Sequence, residues 1–507
     1  MIPLAILRNP VLYFLLASAI LLSFGQSLRV PFAFDDHVLL VDPVITSPDG
    51  YAEVWHWRQS RPLTWFSFWL NYRIHGEDPS GYHAFNLIVH ILSSCLFFRA
   101  TSRLIPRSVA VVAAFFFALH PIQTEAVVYI FARSTLLCTL FCLLSLNAWL
   151  GGRHWLGTLW FGVALLAKEE CAAFPVFLLL LHLAISRNAG ERRPIAAMLG
   201  LASMAAARVA VLAAITPGSG AGAQAGISSG AYLLTQGYSI LRYLQLLAIP
   251  IGFTVDPDIP VLADWRGALC WITLAVLAGL ALRDLPKARV GFWFLGALIL
   301  LAPTSSFFPA ADLAADRRIY LPMLAFAPLA ALLLVRTSFP ILLFAGAVLC
   351  GMLSYARTDV WLAEATLWED AMRWTPNKIR PRIQLSRVSA TEQALRLLGE
   401  ARTIAPNDAG VASELGRVYL TDNRPSEALA EFGRAVALQP NDSLALNNRG
   451  VALLALGLRD HALADFRRSL EINPCLLDAR LNLQKSGEPS RAPPNCRWTP
   501  QQIALFR

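Results

Sequence analysis

Two adjacent carboxylates, Asp35 and Asp36, come soon after the first long apolar segment of the chain, in the sequence Phe34-Asp35-Asp36-His37. At a membrane surface such a pair can bind a cation, or one member can act as a general base while the other positions a substrate. A second acidic pair, at 256–258, imitates a metal-binding D-x-D motif, but no nucleotide-binding α/β pattern accompanies it. We therefore predict that Asp35 and Asp36 are the catalytic residues, and that Asp36 is also a candidate ligand of a divalent metal ion.

Other ionisable and polar residues lie at the ends of further apolar segments. Ionisable groups at the edge of a membrane are costly unless they are paired, so each is a hypothesis for function. Snorkelling, or an ion pair at a helix end such as Lys168 with Glu169, explains any one of them equally well. Their predicted position on one acidic face favours a functional role. The residues are Arg61, His83, His120, Glu125, Arg133, Lys168, Glu169, Arg317, Arg318 and Tyr320.

The composition is that of a membrane protein. Of 507 residues, 56% are hydrophobic and 15% are charged, whereas a soluble globular chain carries about 25% charged residues. The formal net charge of +9 comes mostly from arginine. In a membrane chain such charge indicates orientation and gives no support to nucleic-acid binding. No cysteine or histidine spacing resembles a zinc site.

Eleven apolar segments predict an all-α, polytopic helical bundle with about eleven membrane spans. Several segments are shorter than the ~20 residues that a span needs, so they must include interfacial residues. No signal-peptidase pattern follows the first segment, which we expect to be a retained anchor. The segments are 10–28, 82–101, 107–120, 134–151, 155–167, 171–186, 195–215, 266–283, 289–303, 318–335 and 338–356.

The placement of charge predicts the orientation of the bundle. One set of loops carries the basic residues Arg8, Arg99, Arg103, Arg107, Arg153, Arg187, Arg192, Arg193, Arg283, Lys287, Arg289 and Arg336, and the other set is acidic. The positive-inside rule makes the basic loops cytoplasmic. Residues 231–251 resemble a twelfth span but contain Gln236, Arg242 and Gln245, and we interpret them as an interfacial or re-entrant helix. The N-terminus is then cytoplasmic, and the candidate site and the C-terminal domain are extracytoplasmic.

A 34-residue repeat marks the C-terminal part of the chain. Pro406, Pro440 and Pro474 are 34 residues apart, and pairs such as Gly416/Gly450 recur at the same period. This is the length of the tetratricopeptide (TPR) helix–turn–helix repeat, although an unrelated array of helical hairpins is the alternative. We predict a transmembrane domain at 1–360, a short TPR α-solenoid at 361–487 with two good repeats after a degenerate copy, and a capping tail at 488–507.

Cys475 and Cys496 are the two cysteines that lie outside the apolar segments. Both fall in the part of the chain predicted to be extracytoplasmic, where disulfides persist. We therefore predict a bond between them, which ties the tail to the last repeat. In the chain-entropy model, a loop of this length contributes roughly 3 kcal/mol to stability.

The order of short motifs along the chain resembles that of the transmembrane-and-TPR O-mannosyltransferases of the animal endoplasmic reticulum and their bacterial relatives. These belong to the integral-membrane glycosyltransferases with the C-type fold (GT-C). The resemblance covers almost the whole chain, but the animal members carry many more repeats. The motifs are Phe34-Asp35-Asp36, Arg61-Pro62-Leu63-Thr64, Gly81-Tyr82-His83 with Asn86 and His90, His120-Pro121 with Thr124-Glu125-Ala126-Val127, Arg133, Lys168-Glu169, and Arg318-Ile319-Tyr320-Leu321-Pro322.

The resemblance implies a polyprenyl-phosphate sugar donor, a reaction outside the cytoplasm and inversion at the anomeric carbon. An acceptor hydroxyl must lose a proton, which Asp35, or alternatively Asp36, is placed to take. The leaving lipid phosphate needs fixed cations, and we expect Lys168, Arg317 and Arg318, with Tyr320, to bind it. A metal ion at Asp36 stays open. We expect the remaining residues to position substrates: Arg61, His83, His120, Glu125, Arg133 and Glu169.

The expected product is a mannose or other hexose on Ser or Thr of an exported protein, in a bacterial inner membrane. The TPR surface is expected to recruit the protein acceptor or a partner, through Asn447, Asn448 and Arg449 beside Tyr419. Two alternatives stay open. The acceptor is a lipid-linked or cell-wall glycan, or the chain is a membrane-anchored TPR adaptor without activity. An adaptor has no need for the Asp35-Asp36 pair.

Overall fold

The computed structural model describes residues 9–185, 194–215, 226–284, 290–306, 308–310, 312–337, 340–489, 491 and 496. The chain forms two compact units. The first comprises residues 1–40 and 48–363, and the second comprises residues 41–47 and 364–507. The division near 363 lies close to the domain boundary at 360 that was expected from the sequence. The grouping of 41–47 with the second unit was not expected.

The regular structure of the described residues is entirely helical. Up to Asp359 the α-helices are α1 (Asn9–Phe24), α2 (Val38–Val41), α3 (Pro43–Thr46), α4 (Gly50–Val54), α5 (Pro62–His75), α6 (Pro79–Thr101), α7 (Arg107–Leu119), α8 (Thr124–Val128), α9 (Arg133–Leu150), α10 (His154–Ala167), α11 (Phe174–Ile185), α12 (Ile195–Ile215), α13 (Ser229–Ala248), α14 (Trp265–Arg283), α15 (Val290–Leu301), α16 (Met323–Leu334) and α17 (Pro340–Asp359). Short 3-10 helices carry several polar residues at Phe34–His37, Pro121–Gln123, Ile130–Ala132, Glu169–Ala173 and Asp316–Ile319.

Six helices in the described part of the chain are long and apolar enough to cross a membrane. A seventh candidate is the pair of helices at 107–119 and 121–128, which is bent by 45° at Pro121. The chain is therefore a multi-pass membrane protein. Each of the eleven predicted apolar segments contains a helix, but several are short, and the count of eleven spans stays a prediction. The six are Pro10–Arg29, Pro79–Thr101, Ile130–Leu150, Ile195–Leu212, Trp265–Arg283 and Pro340–Leu362.

Helix α13 uses its polar residues to hold the segment 312–319. The side-chain amide of Gln236 donates to the carbonyl of Leu313 over 2.9 Å, and Arg242 forms an ion pair of 2.9 Å with Asp316. Because these N–H donors have acceptors within the protein, they do not by themselves exclude a membrane crossing. The orientation of the bundle stays a prediction. Six of the basic residues used to assign it lie outside the described residues: Arg8, Arg187, Arg192, Arg193, Lys287 and Arg289.

The second unit is built from helical hairpins. Helix α21 packs on α22 and α23 packs on α24, which gives the two good repeats, and α19 with α20 forms the degenerate copy before them. The predicted fold class, an all-α membrane bundle with a short TPR-type solenoid, is confirmed. The helices of this unit are α18 (Glu364–Trp374), α19 (Arg380–Arg387), α20 (Thr391–Ile404), α21 (Ala409–Thr421), α22 (Pro425–Leu438), α23 (Ser443–Ala455), α24 (Arg459–Ile472) and α25 (Leu477–Lys485).

The repeated glycines allow the two helices of each repeat to approach closely. A Cβ atom on Gly416 would lie 2.8 Å from the ring of Phe432, and one on Gly450 would lie 2.6 Å from that of Phe466. Both rings are fully buried. A larger residue at either glycine would therefore separate the helices. The period seen in the sequence thus marks the tightest helix crossing of each repeat.

The end of the second unit contains the disulfide predicted between Cys475 and Cys496. Most of the predicted capping tail, at 490, 492–495 and 497–507, lies outside the described residues.

The polar set proposed for peptide binding is engaged inside the second unit. Asn447 is buried and accepts a hydrogen bond of 2.9 Å from Asn482, while Arg449 makes two hydrogen bonds of 2.7 Å to Asp465. These side chains stabilise the repeats, which differs from the role expected from the sequence.

Candidate functional site

The loop that carries the acidic pair is fastened by Asp36. Its Oδ1 accepts a hydrogen bond of 2.8 Å from the backbone N–H of Phe131, and its Oδ2 accepts one of 3.1 Å from that of Ala33. Only 1% of Asp36 is exposed. Asp36 therefore ties the 3-10 helix at 34–37 to the one at 130–132, so that a buried carboxyl group shapes the loop.

Asp35 is the exposed member of the pair. Its Oδ2 accepts a hydrogen bond of 3.0 Å from the hydroxyl of Tyr129. The preceding residue, Phe34, has a φ of 55°, in the left-handed region that residues other than glycine rarely adopt. The Phe34 ring packs 5.9 Å from that of Tyr129 and 6.3 Å from that of Trp361. Backbone strain of this kind persists where its surroundings enforce it, and it is concentrated at functional sites.

The environment of Asp36 does not fit the metal-ligand role predicted from the sequence. Both carboxylate oxygens already accept backbone N–H groups, and the side chain is buried. Burial raises the pKa of Asp36 to about 8, although the two N–H donors and the charge of Arg133 oppose the rise. Within the described ranges, three metal-ligating side chains come together only at Cys138, Cys142 and Cys171. Asp36 is therefore a buried structural residue of the loop, and Asp35 remains the exposed carboxylate of the pair.

Two predicted positioning residues are buried supports beneath this loop. The Nε2 of His83 donates a hydrogen bond of 3.0 Å to the carbonyl of Val30, five residues before Asp35. Arg133 is fully buried, and its Nε donates to the side chain of Asn86 over 2.9 Å. Its other nitrogens donate to backbone carbonyls in α5 and α6. Direct substrate contact by His83 and Arg133, which the sequence analysis expected, is not supported, because neither side chain reaches a surface.

His120 and Tyr320 are buried as well. The Nδ1 of His120 accepts a hydrogen bond of 3.2 Å from the backbone N–H of Ile122, at the bend after α7. The hydroxyl of Tyr320 donates to Nδ1 of His90 over 2.7 Å, since Nε2 of that ring donates to a backbone carbonyl. Tyr320 has no exposed surface. Its expected role in binding donor phosphate is therefore replaced by a role in packing α6 against the start of α16.

The segment after α10 holds two ion pairs. The guanidinium of Arg61 makes two hydrogen bonds, of 3.1 and 2.5 Å, to the carboxylate of Glu169. Lys168 pairs with Glu170 at 2.6 Å and also donates to the hydroxyl of Thr135 over 2.6 Å. The helix-end pair of Lys168 with Glu169 suggested by their adjacency is therefore wrong, because an extended backbone at Lys168 sends neighbouring side chains in different directions.

Arg317 lies near Tyr129, the residue that hydrogen-bonds to Asp35. It forms an ion pair with Glu125, whose Oε2 also accepts a hydrogen bond of 3.1 Å from the Arg317 backbone N–H. The guanidinium lies 5.9 Å from the centre of the Tyr129 ring. Burial lowers the pKa of Lys168, and the charges of Arg61 and Arg317 lower it further against the effect of Glu170. The three cations therefore lie within electrostatic reach of one another and form one site.

The charges of this site are not equally compensated. Burial raises the pKa of Glu169, but Arg61 outweighs that effect and holds the pKa at about 2, so this pair stays ionised at neutral pH. Arg318, in contrast, donates to neutral oxygens among the described residues, including the carbonyl of Asp312 at 2.6 Å and the hydroxyl of Tyr232 at 3.4 Å. Its positive charge therefore remains available for an anion.

Comparison with known proteins gives relatives along most of the chain. Residues 389–448 match the tetratricopeptide repeat family model. The protein O-mannosyl-transferase F38B6.6 of Caenorhabditis elegans is 25% identical over 416 residues, which cover 74% of this chain and 59% of that protein. TMTC3 of Mus musculus, also named a protein O-mannosyl-transferase, is 25% identical over 502 residues, which cover 82% of this chain and 53% of that protein. These relatives and the repeat match support a transmembrane-and-TPR protein similar to this family. The chain spans between half and three-fifths of the length of these two relatives.

Three residues near the site were not predicted from the sequence: Tyr129, Trp361 and Arg208. Tyr129 and Trp361 stack with ring centres 5.9 Å apart beside Asp35, and nothing in their local sequence distinguishes them from membrane-interface aromatics. Arg208 had a clear signal, because it is an arginine within the apolar stretch of α12. An ionisable residue inside a predicted span is a functional hypothesis in its own right.

Proposed function

We propose that this chain is a GT-C membrane glycosyltransferase, which moves a mannose or another hexose from a polyprenyl-phosphate donor to Ser or Thr of an exported protein. The observation that carries the proposal is the exposed Asp35, which is hydrogen-bonded to Tyr129, whose ring centre lies 5.9 Å from the guanidinium of Arg317. The names of the relatives support transfer to a protein. The TPR repeats support recruitment of a protein, since such solenoids present extended binding surfaces.

The chemistry begins at Asp35. Because Tyr129 occupies Oδ2, the other oxygen of the carboxylate is directed to the acceptor hydroxyl. As the hydroxyl oxygen attacks the anomeric carbon, its proton passes to Asp35 and the bond from that carbon to the phosphate oxygen breaks. The phosphate leaves with the bonding electron pair, and Asp35 then returns the proton to solvent. A single displacement of this kind inverts the configuration at the anomeric carbon.

The leaving phosphate gains negative charge during this step and is stabilised by positive groups already in place. Arg317 and Lys168 are each fixed by a carboxylate partner, so their orientation is set before the donor binds. Arg318 adds a charge whose described partners are neutral oxygens. The planar guanidinium groups suit a phosphate because they offer parallel N–H donors. Glu125 and Glu169 position Arg317 and Arg61 in this scheme.

The proposed location is a bacterial inner membrane. The N-terminus lies in the cytoplasm, and the site and the TPR unit lie on the periplasmic side. This orientation follows from the arginine-rich loops, and the disulfide of the second unit suits an oxidising compartment.

The test is transfer of labelled mannose from polyprenyl-phosphate mannose by the purified full chain in detergent. One arm contains a peptide rich in Ser and Thr, and a second contains a lipid-linked oligosaccharide. We expect transfer to the peptide and its loss, by at least about a hundred-fold, in Asp35→Asn. Asp258→Asn, which changes an exposed carboxylate of the other acidic pair, is the matched control and should behave as wild type. Wild-type turnover by a folded Asp35→Asn would overturn the proposal, and transfer to the oligosaccharide alone would overturn the protein acceptor.

A further inference from the structure

Helix α12 carries one positive charge within an otherwise uncharged, apolar stretch. Residues 195–212 form one of the candidate membrane spans, and Arg208 is the only charged residue among them. Only 17% of this stretch is buried inside the protein, so most of it faces outward. An arginine within a membrane span is unfavourable unless it has a partner or a function.

The head group of Arg208 points toward the candidate site. One of its terminal nitrogens donates a hydrogen bond to the carbonyl of Ser60, the residue before Arg61. Its Nε is buried and has no hydrogen-bond partner among the residues that the structure describes. Snorkelling would place the guanidinium in water, which a buried and unsatisfied Nε does not fit. The guanidinium of Arg208 therefore lies at the edge of the site with its hydrogen-bonding capacity only partly used.

Charge compensation separates Arg208 from its neighbours. Arg61 is paired with Glu169, and Lys168 is paired with Glu170. Arg208 has no carboxylate partner among the described residues. It nevertheless lies within electrostatic reach of Arg61 and Glu169. This corner of the site therefore carries a net positive charge, next to a helix that is open to lipid.

We propose that Arg208, together with Arg61, binds the phosphate group of a polyprenyl-phosphate lipid that approaches along α12. The inference rests on the proposed function and adds the place where the donor lipid enters. The planar guanidinium of Arg208 carries parallel N–H donors of the geometry that phosphate accepts. The apolar face of the same helix is suited to contact the isoprenoid chain. A free phosphate ion shares the head-group chemistry but lacks the chain.

The experiment measures binding of undecaprenyl phosphate, undecaprenol and inorganic phosphate to the full chain in nanodiscs. We expect wild type to bind undecaprenyl phosphate most tightly. Arg208→Gln should weaken that binding about ten- to a hundred-fold, the loss of one charge-assisted contact. Arg208→Lys keeps the positive charge but not the planar pair of N–H donors, and its affinity should lie between those of wild type and Arg208→Gln. Arg266→Gln is the control. It removes an exposed arginine of α14 that is paired with Asp264, and this variant should bind undecaprenyl phosphate as wild type does.

Wild-type affinity in both Arg208 variants would overturn the inference. So would equal affinity of wild type for undecaprenol and its phosphate, or inorganic phosphate binding as tight as the lipid. Should Arg208→Gln fail to fold, Arg208→Lys decides the question. Asp35→Asn should bind undecaprenyl phosphate as wild type does while losing sugar transfer. This variant therefore distinguishes lipid binding by Arg208 from catalysis by Asp35. Lipid binding that depends on Arg208 without any sugar transfer supports this site and overturns the proposed function.

Discussion

The hydroxyl of Tyr129 lies 3.0 Å from Oδ2 of Asp35 and joins two residues that are 94 positions apart in the chain. Tyr129 is itself held on other sides, by the stacked ring of Trp361 and by the guanidinium of Arg317, 5.9 Å from its ring centre. The orientation of the proposed base therefore depends on an aromatic residue whose own position is fixed. Removing the hydroxyl while keeping the ring isolates that dependence.

Tyr129→Phe should lower kcat about ten- to a hundred-fold, which corresponds to the loss of one hydrogen bond to a charged group. The KM for the acceptor should change little, because the ring and the packing around Trp361 are retained. Steady-state transfer kinetics test this, with Tyr238→Phe, an exposed tyrosine on α13, as the control. A kcat equal to that of wild type would show that Asp35 needs no orienting donor.

Lys168→Ala should reduce kcat/KM for the donor about ten- to a hundred-fold, since it removes one charge-assisted contact to phosphate. It also leaves the carboxylate of Glu170, which is 4% exposed, without its partner, and so should lower thermal stability. The double variant Lys168→Ala/Glu170→Gln distinguishes the two effects. It should recover stability but not donor use. Recovery of both would mean that Lys168 has only a structural role.

Arg318→Ala is a second test of phosphate binding. Its guanidinium donates to the backbone carbonyls of Thr304, Asp312 and Leu313. Because the proposed ligand of this positive charge is the donor phosphate, the variant should reduce donor use more than acceptor use. Arg318→Lys keeps the charge but not the fork, and it should restore donor use only in part. Donor kinetics that are unchanged in Arg318→Ala would contradict a role in phosphate binding.

Asp36 predicts a pH dependence of stability. Its pKa is raised by burial from 3.8 to about 8 in the folded protein. The folded state therefore retains a proton that the unfolded chain has lost, and the stabilisation from this group, complete below pH 3.8, declines as pH rises and is gone above about 8. Between pH 5 and 8 the unfolding temperature of wild type should thus fall more steeply than that of Asp36→Asn, which cannot titrate. Parallel curves for the two proteins would contradict a buried, protonated Asp36.

Features that depend on residues close together in the chain could be predicted from the sequence, and features that depend on long-range contacts could not. The 34-residue period places Gly416 and Phe432 in one repeat, and apolar length marks the helices, because both patterns are set by neighbours along the chain. The pairing of Arg61 with Glu169 crosses 108 positions and depends on how α5 meets the segment after α10. For the same reason the sequence named Asp35 ahead of Asp36 as the base without predicting that Asp36 is buried, since its burial depends on its contact with the backbone of Phe131.

Gly416→Ala should destabilise the second unit by about 1–3 kcal/mol, a range typical of overpacking. The added Cβ would lie 2.8 Å from the buried ring of Phe432. Gly433→Ala is a matched control, because a Cβ there meets no described atom within 4 Å, and alanine is favoured over glycine in a helix by roughly 0.5–1 kcal/mol. Limited proteolysis of the full chain should therefore cut Gly416→Ala faster than wild type, and Gly433→Ala no faster. Equal resistance of both variants would contradict the close helix crossing.

The disulfide between Cys475 and Cys496 and the count of membrane spans make linked predictions about the location of the second unit. Eleven spans place the two termini on opposite sides, so a reporter that is active only in the periplasm should be active when fused after Arg507. Peptide mapping under non-reducing conditions should then recover the two cysteines in one linked fragment, and Cys475→Ser should cost roughly 3 kcal/mol of stability. An active cytoplasmic reporter together with two free thiols would mean that α13 crosses the membrane as a twelfth span. The proposed periplasmic location of the repeats would then be wrong, whereas the predicted side of Asp35, which precedes α13, would not change.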